Sequence, residues 1–143
     1  RIPRTCREAA GYTGLTMAPD VQPMIRVTAM PTDINPYGGV FGGWIMGQMA
    51  LGAASLASRH SKRRAILVAA RDFACPAGMV VGEELSVYAT LEKQGRSSMT
   101  ISAQGWRRER DGDEACLTAS GQFTFVAVDE SNTPRAILFE QGK

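Results

Sequence analysis

The segment from Trp44 to Ala57 contains no charged residue, so the helix it predicts is expected to be largely buried rather than laid on a surface. The approach to it is as restrictive. Asn35-Pro-Tyr-Gly-Gly-Val-Phe-Gly-Gly-Trp-Ile-Met gathers Pro36, Gly38 and Gly39 into a turn and leaves Gly42 and Gly43 bare where the helix, expected over 42–59, begins. A helix start exposes unpaired N–H groups and a partial positive charge, and glycines let a carbonyl oxygen, an oxyanion or a phosphate come close. The same glycines also suit an ordinary loop before a core helix. Along the helix, Gly47, Gly52, Ala53, Ala54, Ser55 and Ala57 permit close packing on a sheet, while Ile45, Met49 and Leu56 supply bulk at helical spacing.

The sheet is legible in period-2 alternation. Residues 22–30 predict a first strand ahead of the helix, and after the basic break Arg59 to Arg64 four more follow. Ala65 to Phe73 is a nearly continuous apolar run, expected as a central strand. Leu85, Val87, Ala89 and Leu91 share one face of the next; Met99, Ile101, Ala103 and Gly105 share one face of the third; Ala115, Leu117, Ala119, Gly121, Phe123 and Phe125 share one face of the last. Polar turns at 92–97 and 109–113 join them as hairpins. One strand, one buried helix and four strands in an antiparallel meander define an α+β domain, a five-stranded sheet wrapped around one central helix. Such a unit leaves sheet edges open, so a homodimer or a higher even oligomer, a tetramer or hexamer, is expected.

With 143 residues, 44% hydrophobic and 21% charged, the chain has the material for one globular core. The domain is expected over 21–136, preceded over 1–20 by an aperiodic arm or vector remnant and followed by a tail over 137–143. A net charge of +2 is too small to argue for nucleic acid. Cys6, Cys75 and Cys116 form no CxxC pair, so neither a disulfide framework nor a metal site is supported, and a reducing cytoplasm fits best. No apolar run is long enough to span a membrane, and 1–20 lacks the apolar core of a signal peptide.

The order of elements, read with Met30-Pro-Thr-Asp-Ile-Asn35, Phe41-Gly-Gly-Trp-Ile-Met, Tyr88-Ala, Gly95-Arg-Ser-Ser98, Trp106 and Phe125-Val-Ala-Val-Asp129, resembles the hotdog superfamily, and within it the YciA-type and brain-type acyl-CoA thioesterases. The resemblance runs from about Arg26 to Ala136. It implies an α+β hotdog fold and hydrolysis of acyl-CoA to fatty acid and coenzyme A, with coenzyme A entering as part of the substrate and no separate cofactor. Backbone N–H groups at Gly42 and Gly43 would polarise the thioester carbonyl, an oxyanion-hole arrangement. Asn35 would help place the reacting groups across a subunit boundary; a turn residue bonded to its own loop is the simpler reading. Phe41, Trp44 and Met46 would wall the acyl chain, each being equally suited to the core.

The family's helix aspartate, the base, corresponds to Ala50 in Gly47-Gln-Met-Ala-Leu51, and no Asp or Glu occurs between Asp33 and Asp72. General-base catalysis is worth roughly a hundredfold to ten-thousandfold. Three explanations stay open: an alanine introduced to disable the enzyme, another acid such as Asp33 or Asp72, or a non-catalytic protein that binds or senses acyl-CoA. Ser55 and His60 suggest no triad at their spacing. For the phosphates of coenzyme A, the turn Gly95-Arg96-Ser97-Ser98 offers N–H groups, hydroxyls and a guanidinium; Arg59, Lys62, Arg63 and Arg64 form a second basic cluster that equally suits a helix C-terminus. A hydratase reading, prompted by Asp33-Ile-Asn35-Pro36, lacks the histidine that chemistry normally needs nearby.

Overall fold

The computed structural model describes residues 17–137, so most of the expected arm and tail lies outside the described residues. The elements are β1 (Ile25–Thr28), a 3-10 turn (Pro31–Asp33), α1 (Gly42–Ser61), β2 (Arg64–Ala74), β3 (Glu84–Gln94), β4 (Ser98–Arg108) and β5 (Ala115–Val128). All strands join one antiparallel sheet in the order β1-β3-β4-β5-β2, with α1 packed on one face. This is the expected five-stranded sheet around one long helix.

Two expectations give way. β2 is not the first strand of a meander next to β3; it pairs with β5 alone and forms an edge. Nor is it central, since Ile66, Leu67 and Val68 are all substantially exposed. An apolar run reports that both faces of a strand avoid water, not what covers them, and within one subunit β2 is left uncovered. The hairpins β3–β4 and β4–β5 do form as expected.

α1 continues to Ser61, beyond the expected end at Arg59. Lys62 closes it in the left-handed region (φ 59°), its N–H donating to the Ser58 carbonyl at 3.0 Å. Arg59 and His60 in the last turn complement the negative end of the helix dipole. The buried face carries Ile45, Met49, Gly52, Ala53 and Ala57. Small residues set the closeness of this packing: a Cβ at Gly52 would stand 2.8 Å from Val87 Cγ1, and one at Gly105 on the facing strand 3.1 Å from Leu85 Cδ1.

The opposite face of the sheet is covered at one end by the loop that follows β2. Thr118 Oγ1 donates to the Gly78 carbonyl at 2.7 Å, and Ala77 packs with Cys116. Glu83 and Arg107 form a buried ion pair at 3.3 Å, and Glu83 Oε1 also accepts the Val80 N–H at 2.8 Å. Cys116 is disulfide-bonded, which the wide cysteine spacing did not suggest, whereas Cys75 is a free thiol. Burial pushes the Cys75 thiol above its ordinary range, against the opposing pull of its contacts with Gly78 and Thr118.

Candidate active site

The covering loop seats the glycine entrance. The Val40 N–H donates to the Met79 carbonyl at 3.0 Å, the Phe41 N–H to the Asp33 carbonyl at 2.8 Å, and Ile34 bridges to Val40. Phe41 is the N-cap of α1 and offers no side-chain cap. Its carbonyl accepts from both Trp44 (2.9 Å) and Ile45 (3.3 Å), while the N–H groups of Gly42 and Gly43 have no partner among the described residues. Two convergent donors therefore stand open at the positive end of a helix. The half-exposed Phe41 ring lies against Gly43, where an added Cβ would overlap it; nothing crowds Gly42.

Asn35 is held in its own loop. Its Oδ1 accepts the Tyr37 N–H at 2.6 Å, its N–H donates to the Gly39 carbonyl at 2.7 Å, and Gly38 turns the chain at φ 105°. The turn-residue reading is thus realised, but it uses only the oxygen. Asn35 Nδ2 keeps its donors free among the described residues.

Ala50 is partly buried and packs on the core. It follows Gly43 by two helical turns, which places both on one flank. Gly52, which meets Val87 of β3 and Met24, lies on the other flank, so the Gly43–Ala50 flank turns toward β2. Asp33 Oδ2 accepts the Met30 N–H at 2.8 Å and caps the 3-10 turn. Asp72 lies exposed in an irregularity of β2, with φ 57°.

The second half of the predicted site lies elsewhere. The turn Gly95–Ser98 is tied down by the Gly95 N–H to the Ser98 carbonyl (2.8 Å) and by the Ala127 N–H to the Ser97 carbonyl (2.7 Å). His60 and Gln94 bond at 2.6 Å, which fixes this turn to the C-terminal end of α1 and leaves no Ser55–His60 pair. Arg63 donates to the Ala136 carbonyl and Arg64 to the Glu130 carbonyl, so those two serve the structure. Arg96 is exposed with no partner for its guanidinium among the described residues, and Arg59 and Lys62 are exposed beside it in the fold. A 20-residue helix is about 30 Å long, so one subunit holds its glycine entrance and its cationic turn at opposite ends. Sequence order gave no sign of that separation. Among the described residues no group of His, Cys, Asp and Glu could hold a metal ion, and no helix is long and apolar enough to cross a membrane.

A five-stranded sheet around a helix whose glycine entrance presents open N–H groups defines a hotdog-fold thioesterase scaffold. The chain belongs to the thioesterase superfamily, whose family model matches residues 37–114. It is 48% identical over 118 residues to an uncharacterized acyl-CoA thioester hydrolase of Zymomonas mobilis, covering 82% of this chain and 79% of the relative. It is 31% identical over 120 residues to the acyl-CoA thioester hydrolase YciA of Escherichia coli, covering 82% and 91%. Among solved structures, the hexameric thioesterase y2039 of Yersinia pestis superposes with a TM-score of 0.80 at 32% identity, covering 86% of this chain and 100% of that one. An aspartate-to-alanine mutant of HI0827, a hexameric broad-specificity acyl-coenzyme A thioesterase, superposes with a TM-score of 0.80 at 35% identity, covering 85% and 89%.

Proposed function

We propose that this chain hydrolyses acyl-CoA thioesters to a free acid and coenzyme A, with no cofactor beyond the coenzyme A of the substrate. The observation that carries the reading is the pair of unpartnered N–H groups at Gly42 and Gly43 in a chain of this family. They are set to receive the thioester oxygen as it gains charge, a role in which one donor is worth about 2.7–4 kcal/mol. Asn35 Nδ2 supplies a further donor, and Phe41 and Trp44 line the approach of the acyl chain. Arg96 and the hydroxyls of Ser97 and Ser98, with Gly95 shaping the turn, bind the phosphate end of the substrate.

Because those two sets of groups sit at opposite ends of α1, the site requires a second copy of the chain. The uncovered edge of β2, with Ile66, Leu67 and Val68 exposed, is where that copy docks. Antiparallel pairing of two β2 edges carries the Arg64 end of one beside the Ala74 end of the other, and so a cationic turn toward a glycine entrance. A hexamer built from such dimers suits a chain whose solved relatives are hexameric. The compartment is the cytoplasm, where acyl-CoA is made and spent; reducing Cys116 there leaves the main core untouched, because Cys116 lies outside it.

Ala50 favours one other reading on the same fold, an acyl-CoA binder that turns nothing over. Release of free thiol from short-, medium- and long-chain acyl-CoAs, followed beside calorimetric binding of the same compounds, separates the two. Steady release of coenzyme A supports hydrolysis; saturable binding with no release supports the binder, and neither would remove both.

A further inference from the structure

We propose that Asp72 is the general base of this site, replacing the acid that Ala50 does not provide; the proposal rests on the hydrolase reading above. Gly43 and Ala50 share the flank of α1 that faces β2, and β2 runs back along that flank after a two-residue connection. From Ser61 back to Gly43 the helix rises about 27 Å, which an extended strand covers in about eight residues. Counted from Arg64, the first residue of β2, that distance ends at Asp72. The path of the chain beyond β2 leads to the same end. The chain leaves β2 at Ala74 and reaches Met79, whose carbonyl holds Val40 beside the glycine entrance.

Other acids of the described chain are excluded by their partners or their place: Asp20 precedes β1 at the far edge of the sheet, Glu92 lies on β3 near Gln94, which bonds His60 at the other end of α1, and Asp129 and Glu130 follow Val128, which pairs with Arg64. Asp33 is spent on the Met30 N–H, Glu83 is buried against Arg107, and Glu84 pairs with Arg108 at 3.1 Å. Glu109, Asp111, Asp113 and Glu114 belong to the β4–β5 connection, which reaches toward β1, at the other edge of the sheet, where Arg110 donates to Thr28 Oγ1 at 3.1 Å. Among these acids Asp72 alone sits on the β2 edge beside the Gly43 flank; it is exposed, and its carboxylate accepts no hydrogen bond among the described residues. Its backbone is also unusual. At φ 57° it occupies the left-handed region, which aspartate tolerates better than most side chains and glycine better still.

In the reaction this assigns, a water oxygen bonds to the thioester carbonyl carbon as one of its protons passes to the Asp72 carboxylate. The oxyanion rests on the Gly42 and Gly43 N–H groups. Collapse breaks the C–S bond, and the departing thiolate recovers the proton from Asp72, giving coenzyme A and a carboxylic acid.

The test is thiol release by the full chain and by its Asp72→Asn, Asp72→Gly, Ala50→Asp and Asp72→Asn/Ala50→Asp variants, with thermal melting of each. Asp72→Gly suits the left-handed backbone, so it is expected to melt no lower than the parent and yet to lose about a hundredfold or more in kcat, as Asp72→Asn does. A purely structural role for Asp72 would not produce that combination. Adding Ala50→Asp to Asp72→Asn is expected to restore turnover. A parent chain that turns over with Asp72→Gly fully active overturns the proposal. So does an inactive parent that Ala50→Asp activates, although the hydrolase scaffold then stands; if no variant releases thiol, the hydrolase reading itself fails.

Discussion

Under the proposed function Gly43 combines two demands on one position: presenting an N–H to the substrate and accepting the Phe41 ring against its Cα. A Cβ there would overlap that ring, and because the ring is half exposed it can swing outward at little cost in stability. The Gly43→Ala variant is therefore expected to melt within a few degrees of the parent while losing about a hundredfold to a thousandfold in kcat, as the displaced ring closes over the donor. Gly43→Ala/Phe41→Ala, which removes the ring, should recover part of the loss; a single variant of unchanged kcat would detach Gly43 from catalysis. A second residue-scale prediction concerns Asp129. Its carboxylate accepts the N–H groups of Ser131 (2.8 Å) and Thr133 (3.1 Å) and the Arg135 guanidinium (2.8 Å). The Thr133 bond is the leading cause of a pKa held below the usual carboxylate value, with the Ser131 bond and Arg135 acting in the same direction. A lowered folded pKa means that the turn is stabilised above the ordinary aspartate value, about 3.9, and loses that stabilisation as pH falls through the folded one. The amide shifts of Ser131 and Thr133 should titrate with a midpoint below that of a model peptide; a midpoint at or above it would contradict the assignment.

At the scale of elements, the seat of α1 on the sheet depends on the absence of side chains. A Gly52→Ala methyl would stand 2.8 Å from Val87 Cγ1 and 3.4 Å from Met24 Cβ, inside a packed core where neither neighbour is a flexible chain end. Helix propensity favours alanine by about 1 kcal/mol, and overpacking of this kind typically costs about 1–3 kcal/mol, so net destabilisation is expected in chemical denaturation. Trimming Val87 to alanine in the same chain should relieve the clash, leaving the pair less than additive. These elements were largely legible in the sequence, because alternation and helical spacing are local. Leu85 and Val87, Met99 and Ile101, and Phe123 and Phe125 all turned inward as their period required. What period cannot carry is connectivity. Ala65 to Phe73 read as central because it is apolar, and only the long-range pairing of β2 with β5 makes it an edge. The geometry of the candidate site was legible in the same partial way. Gly42-Gly43 and Asn35 lie together because they are close in sequence, whereas the distance from them to Arg96 is a property of where a 20-residue helix ends.

At the scale of the whole molecule, that distance makes a numerical prediction. If the glycine entrance of one subunit works with the cationic turn of another, a chain carrying Gly43→Ala and a chain carrying Arg96→Ala are each defective at every site. When the two are co-expressed or refolded together, a mixed dimer places both lesions in one site and leaves the other site wild type. Random pairing makes half of the dimers mixed, and each has one intact site of two, so activity should return to about one quarter of the parent value. Sites complete within single subunits would give no recovery on mixing. Val68→Lys, a charge on the exposed β2 edge, addresses the same dependence from the other side. It touches neither Gly43 nor Arg96 and sits where a side chain meets solvent in the isolated subunit, so the fold should survive. Light scattering should nevertheless report smaller particles, and turnover should fall with the fraction of assembled protein and rise again with concentration. Full activity from a monomeric Val68→Lys chain would mean that one subunit can bridge its own two ends, and the shared site would have to be abandoned.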